Sequence, residues 1–183
     1  MYDNLKIITY PDPRLKQPSV PVSDFNENLR QLVTRMFELM RQAKGVGLAA
    51  PQVAQNIRLF VMNATGQPED DRVYVNPILS EADGDEEAEE GCLSIPGLSV
   101  NVIRSKHLRM QAHDLQGNPI DQSASGYLAR IWQHEYDHLN GTLLTDRMGP
   151  VAKLANRRLL RELEEKYAAE HPTPSPRKPT KKR

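Results

Sequence analysis

The chain has 183 residues and sets 24 Lys and Arg against 24 Asp and Glu, so one domain with a buried core is expected and global charge points to no polyanionic partner such as DNA. No run of about 18 apolar residues occurs, which excludes a helical membrane span, and the opening MYDNLKIITYPDPRLKQ lacks the basic-then-apolar order of a secretory signal. A single cysteine, Cys92, excludes an internal disulfide and suits a reducing compartment, the cytoplasm.

The first predicted element is an amphipathic helix within SDFNENLRQLVTRMFELMRQAK. Leu29, Leu32, Val33, Met36, Phe37 and Met40 recur at helical spacing, with Ser23 or Asp24 as N-cap, and the helix stops before Gly45 and Gly47. GVGLAAPQ (45–52) follows. It lacks the Lys-Ser/Thr of a phosphate loop and comes after a helix rather than a strand, so that reading is rejected. Its small residues permit close backbone approach by a ligand, and Gln52 ends it with an amide that can donate a hydrogen bond. A tight structural turn is the competing reading.

IRLFVMN (57–63) and DRVYVNP (71–77) are β-branched and aromatic enough to be strands, the second ended by Pro77. LSVNVIRSKHLRMQAHDLQGNPIDQ (98–122) reads as strands around a turn at LQGNP. A second helix is predicted from about Ser123 to Asn140, capped by Gly141. A third begins near Pro150 and carries Val151, Leu154, Leu159, Leu160, Leu163 and Tyr167. Helix, strands, helix, helix favours an α+β fold with largely antiparallel sheets, packed around the second helix. The domain expected is 1–168. The remainder, 169–183, reads as a disordered, basic, Pro-rich tail: HPTPSPRKPTKKR (171–183) holds four prolines, five basic residues and no acid.

The second helix contains H-E-x-x-H: His134, Glu135 and His138. Four residues apart on a helix, the histidines share a face, with Cβ atoms about 5–6 Å apart, which suits two imidazoles on one metal ion. Glu135 is offset by one residue and so is placed to work beside the metal rather than to ligate it. A helix with two ordinary histidines is the bland alternative. The longer zinc-protease signature would put a third histidine at 144, where the chain has Leu144. Glu162, Glu164 and Glu165 offer a carboxylate downstream, although RELEEKY also reads as a charged helix face. Upstream, Cys92 sits beside Gly91 after an acidic run. A lone Cys is usually a small buried hydrophobe, yet His₂Cys is a known donor set that leaves one position open for water.

G-V-G-L-A-A-P-Q, E-G-C-L-S and Q-H-E-Y-D-H, in this order and spacing, resemble the peptide deformylases. The C-terminal helix resembles that of the bacterial type 1 form, and the resemblance spans roughly 5–168. It implies a metallohydrolase that removes the N-formyl group from formyl-methionine at the start of new polypeptides and releases formate. It implies that Cys92, His134 and His138 bind one divalent ion, ferrous iron foremost, with zinc or nickel also accommodated. Glu135 is then the general acid/base, and Gln52 with the Leu93 N–H forms the oxyanion site. The backbone of Val46, Gly47 and Gly91 would pair with the substrate as an added strand. Tyr127, Arg130 and Ile131 align with the pocket for the methionine side chain, where the stem of Arg130 is expected to line the wall while its charge reaches water. Glu90 is expected to pair with Arg104 and orient the Cys92 segment. The basic residues Lys153, Arg157, Arg158 and Arg161, with the tail, suggest a contact with ribosomal RNA; a solvated tail is the alternative.

Overall fold

A computed structural model of the chain describes residues 2–172. Its first helix, α1 (Glu27–Gln42), starts later than the sequence reading placed it. The N-cap is Asn26, whose side-chain oxygen accepts the Leu29 N–H at 3.1 Å, while Ser23 and Asp24 hydrogen-bond each other instead. Asn26 wins because its oxygen sits three residues before a free helical N–H. At the other end, Lys44 takes a left-handed conformation, φ 56°, and Gly45 N–H closes on the Met40 carbonyl. This turn delivers the chain into the glycine segment.

Five strands form one antiparallel sheet in chain order: β1 (Gly47–Ala49), β2 (Leu59–Met62), β3 (Arg72–Gly91), β4 (Ser99–His113) and β5 (Pro119–Ser125). The glycine segment thus supplies the short edge strand β1, with Gly47 opposite Met62, and a 3₁₀ turn from Ala50 to Val53. β3 runs far past Pro77. Its acidic stretch pairs with β4, Glu86 opposite Arg104 and Gly91 opposite Ser99, after two irregularities at 75–78 and 80–83. Charge hid this strand in the sequence, but the alternation is regular: Glu86, Ala88 and Glu90 are partly or fully buried, whereas Asp85, Glu87 and Glu89 face water. The turn from β3 to β4, residues 92–98, carries Cys92.

Helix α2 (Gly126–Leu139) packs across the sheet. Trp132 is fully buried there with Phe60, Tyr74 and Met110, and the Tyr74 and Trp132 rings meet edge to face with centroids 5.6 Å apart. The predicted start at Ser123 falls instead in β5, and Gly141, at φ 70°, follows the helix end as expected. α1 covers the β1–β2 side of the core. Beyond a short helix, α3 (Leu144–Arg147), the predicted third helix is broken in two: α4 (Pro150–Ala155) and α5 (Arg157–Glu170), interrupted at Asn156, whose side chain bonds the Ala152 carbonyl. The break turns Leu159, Leu160 and Leu163 onto the cluster beneath the Cys92 turn, while Val151 and Leu154 stay exposed. α5 continues two residues past the expected domain end at 168, and 173–183 lie outside the described residues. No helix among the described residues is long and apolar enough to cross a membrane.

Candidate metal centre

α2 presents His134 and His138 on one face with ring centroids 5.2 Å apart. The turn after β3 brings Cys92 against them: its Sγ lies 3.3 Å from His138 Nε2. The sulfur and a ring nitrogen of each histidine all fall within 4.8 Å of one another. Two imidazoles and a half-buried thiol at that separation could hold one divalent ion, a donor set that zinc and ferrous iron both accept. The downstream carboxylates are engaged elsewhere. Glu162 pairs with Arg158, Glu165 with Arg161, and Glu164 accepts the Tyr10 hydroxyl.

His134 is held from behind. Its Nδ1 lies 2.9 Å from Glu90 Oε2, so its other nitrogen is the one left for a ligand role. Glu90 takes Arg104 in a two-pronged pair and Arg130 at 2.8 Å. Burial opposes the ionisation of Glu90, but the hydrogen bonds from His134 and Arg104 and the charge of Arg104 outweigh it and hold the carboxyl well below the usual range. Arg104 continues to Asp137 at 2.6 Å, and Asp137 pairs with Arg147. The Glu90–Arg104 pair was expected. Asp137 and Arg147 were missed: the first lies inside the H-E-x-x-H stretch, but nothing local marks the second as its partner.

Arg130 departs from expectation. Its charge does not reach water: the residue is 5% exposed. Besides Glu90, its guanidinium donates to the Val102 carbonyl at 2.9 Å and the Glu86 carbonyl at 2.6 Å. It ties α2 to the β3–β4 hairpin that carries Cys92. A guanidinium with five donors can be buried when acceptors surround it, and the two strands supply them.

Glu135 is 4% exposed. Burial is the main reason its carboxyl is pushed up to about 7, and its Oε2 hydrogen-bonds no protein atom. Space for it depends on Gly47, where an added Cβ would collide with the Glu135 carboxylate. Burial and the neighbouring His134 press the His138 ring well below its usual pKa. For His134 burial acts the same way, but Cys92 and Glu90 pull the ring upward.

Gln52 and Ser94 meet nearby. Gln52 Oε1 accepts the Ala49 N–H at 2.8 Å, and Nε2 donates to Ser94 Oγ at 3.1 Å while lying 3.7 Å from Cys92 Sγ. A cavity of about 610 Å³ opens over the cluster and is lined by Val46, Gly47, Gln52, Gly91, Cys92, Leu93, Tyr127, Arg130, Ile131, His134 and Glu135. Of the site residues expected from the sequence, all but His138 border it. Lys44 and Glu89 on the rim were not foreseen.

The family model for polypeptide deformylase matches residues 4–154. Peptide deformylase 1B, chloroplastic/mitochondrial, of Arabidopsis thaliana is 42% identical over 175 residues, which are 94% of this chain but 64% of that protein, so the chain spans just under two thirds of that relative's length. Peptide deformylase of Thermotoga maritima is 41% identical over 159 residues, 86% of this chain and 95% of the relative. Among solved structures, a plant peptide deformylase has a TM-score of 0.91 at 40% identity, covering 97% of this chain and 98% of that one. One from Plasmodium falciparum has 0.89 at 40% identity, with coverage of 92% and 100%.

Proposed function

The chain belongs to the polypeptide deformylase family and removes the N-formyl group from new polypeptides, and from that premise we propose that Cys92, His134 and His138 hold its divalent metal ion and that Glu135 is its general acid/base. The observation that carries this reading is the convergence of the three donors within 4.8 Å beside a buried carboxylate, with Cys92, His134 and that carboxylate bordering one cavity. Ferrous iron is the ion proposed, with zinc and nickel as alternatives that the same donors accept. When bound, the ion supplies a Lewis acid that lowers the pKa of water from about 15.7 to about 7 and polarises the formyl oxygen.

The chain's own residues do the rest. The backbone of Val46, Gly47 and Gly91 aligns the peptide as an added strand along β1 and the end of β3. Tyr127, Arg130 and Ile131 wall the pocket for the methionine side chain. Glu135 takes a proton from the attacking water at its unpartnered Oε2 and returns it to the leaving amine. Gln52 Nε2 and the Leu93 N–H stabilise the oxyanion that forms as the formyl carbon becomes tetrahedral. A formyl hydrogen is the smallest acyl substituent, so a close-fitting site excludes acetyl groups by size.

The substrates are formylated nascent chains. We place the enzyme in the cytoplasm, where such chains are made, and propose that the basic residues of the C-terminal tail, together with those of α4 and α5, touch the ribosome. Truncation after Tyr167 is expected to weaken ribosome co-sedimentation at low salt; unchanged sedimentation removes that contact. The activity and site are tested together by formate release from a formyl-Met peptide, using anaerobically purified enzyme and its Cys92→Ser variant. The parent should release formate with stoichiometric metal, and the variant should lose both. Undiminished metal and turnover in Cys92→Ser would refute the ligand set.

A further inference from the structure

Gln52 can present an N–H to the developing oxyanion only if its amide nitrogen, not its oxygen, faces the reacting carbon, and the two ends are nearly the same shape. Something must decide between them. Gln52 Oε1 is taken by the Ala49 N–H at 2.8 Å. Gln52 Nε2 donates to Ser94 Oγ at 3.1 Å and lies 3.7 Å from Cys92 Sγ. Gln52 is 1% exposed and Ser94 is 0% exposed, so solvent cannot replace either partner. Both residues hang on one N-terminal segment: Ile8 N–H donates to the Gln52 carbonyl at 2.8 Å and Tyr10 N–H to the Ser94 carbonyl at 2.7 Å.

Resting on the oxyanion role of Gln52, we propose that Ser94 is a positioning residue for deformylation, its Oγ accepting one Nε2 hydrogen of Gln52 so that the other points into the cavity beside Cys92. With the amide reversed, Nε2 would face the Ala49 N–H, donor against donor. Without the Ser94 oxygen, that buried Nε2 hydrogen loses its acceptor, and the amide is held firmly at its Oε1 end alone. Ser94 touches neither substrate nor metal ligand in this scheme and acts only through Gln52.

Steady-state formate release from a formyl-Met peptide tests this on the metal-loaded enzyme. Gln52→Ala should lower kcat by about 10²–10³, the effect of losing one oxyanion donor. Ser94→Ala should lower kcat by about tenfold with KM within about twofold, a loss felt mainly in the transition state. The double variant should match Gln52→Ala alone, since the two residues act in series. In the zinc-loaded enzyme, the side-chain amide resonances of Gln52 should shift in Ser94→Ala while amides remote from the site stay in place. Ser94→Cys, of similar volume with a weak acceptor, should behave as Ser94→Ala and carries the test if the alanine variant does not fold. If Gln52→Ala keeps its kcat, the oxyanion role of Gln52 is wrong and the inference falls with it. If Gln52→Ala loses rate but Ser94→Ala and Ser94→Cys do not, or if the double variant loses the product of both effects, Gln52 keeps its role and the Ser94 inference is overturned.

Discussion

The carboxylate of Glu90 and the guanidinium of Arg104 meet in a two-pronged pair, with both N–O distances 2.9 Å. Their side chains are 5% and 4% exposed. Glu90 Oε2 also reaches His134 Nδ1, so one carboxylate links a buried cation to a proposed metal ligand.

Breaking one side of such a pair strands the other charge, at about 3–5 kcal/mol. Arg104→Met is therefore expected to lower the unfolding free energy by up to about that much, since it takes one cation from Glu90, which keeps Arg130, and one from Asp137, which keeps Arg147. Urea titration monitored by tryptophan fluorescence measures it, Trp132 being the sole indole. Loss of under about 1 kcal/mol would show that the pair is dispensable to the fold.

Glu90→Gln keeps the shape but removes the charge behind His134. Altering such a partner of a metal-binding histidine typically weakens metal binding about 10–100-fold. Competition with a chelating dye should show a weakening of that order, and an unaltered affinity would remove Glu90 from the metal centre.

Glu135→Gln should lower kcat by about 10²–10⁴, the usual contribution of a positioned acid/base, while leaving the metal content at one per chain. Loss of metal together with activity would instead make Glu135 a ligand.

Gly47→Ala places a methyl group where the Glu135 carboxylate lies. Overpacking of this kind costs about 1–3 kcal/mol, and Glu135 must move to accommodate it. Turnover should fall by more than tenfold while metal stays bound, as formate release and elemental analysis together would reveal. A fully active variant would mean that Glu135 has room the structure does not show.

Asp12 provides a pH-dependent contribution. Its side chain accepts the Arg14 N–H at the start of a 3₁₀ turn and pairs with the Arg14 guanidinium at 2.6 Å. The hydrogen bond from Arg14 lowers its carboxyl below the usual value, against burial. A depressed folded pKa stabilises fully above the unfolded value, about 3.9, and the benefit disappears as pH falls through the lower folded value. Asp12→Ala should cost about 1 kcal/mol at pH 7 and less at pH 3, by denaturant titration at both. Equal losses at the two pH values would contradict the assignment.

Much of the site could be read in the chain because its chemistry is local. The helical spacing of His134 and His138, and Glu135 between them, needs only the period of a helix. Cys92 was different. Thiolate chemistry made it a candidate beside Glu162, Glu164 and Glu165, but nothing in its neighbourhood says that β3 and β4 form a hairpin whose turn meets α2, and the family resemblance decided between them. Arg130 was misread for a related reason. Its acceptors are a carboxylate and two carbonyls 28 to 44 residues away in sequence, and carbonyls carry no sequence signature. The acidic half of β3 was overlooked because strand propensity penalises Asp and Glu, although here one face of the strand is solvated. β1 has three residues, too few for any alternation to register.

The placement of Cys92 at a hairpin turn, 46 residues before His138, has a consequence for how the enzyme itself is born. Emerging from the ribosome, the chain exposes its thiol well before α2 is made, and a metal ion can be held by all three donors only after β4, β5 and α2 have all been synthesised and packed. Capture of the ion thus reports completion of the fold, and an ion present at about 100 times its dissociation constant adds about 2.7 kcal/mol to the finished state alone. A cell short of that metal would hold a less stable protein as well as a less active one.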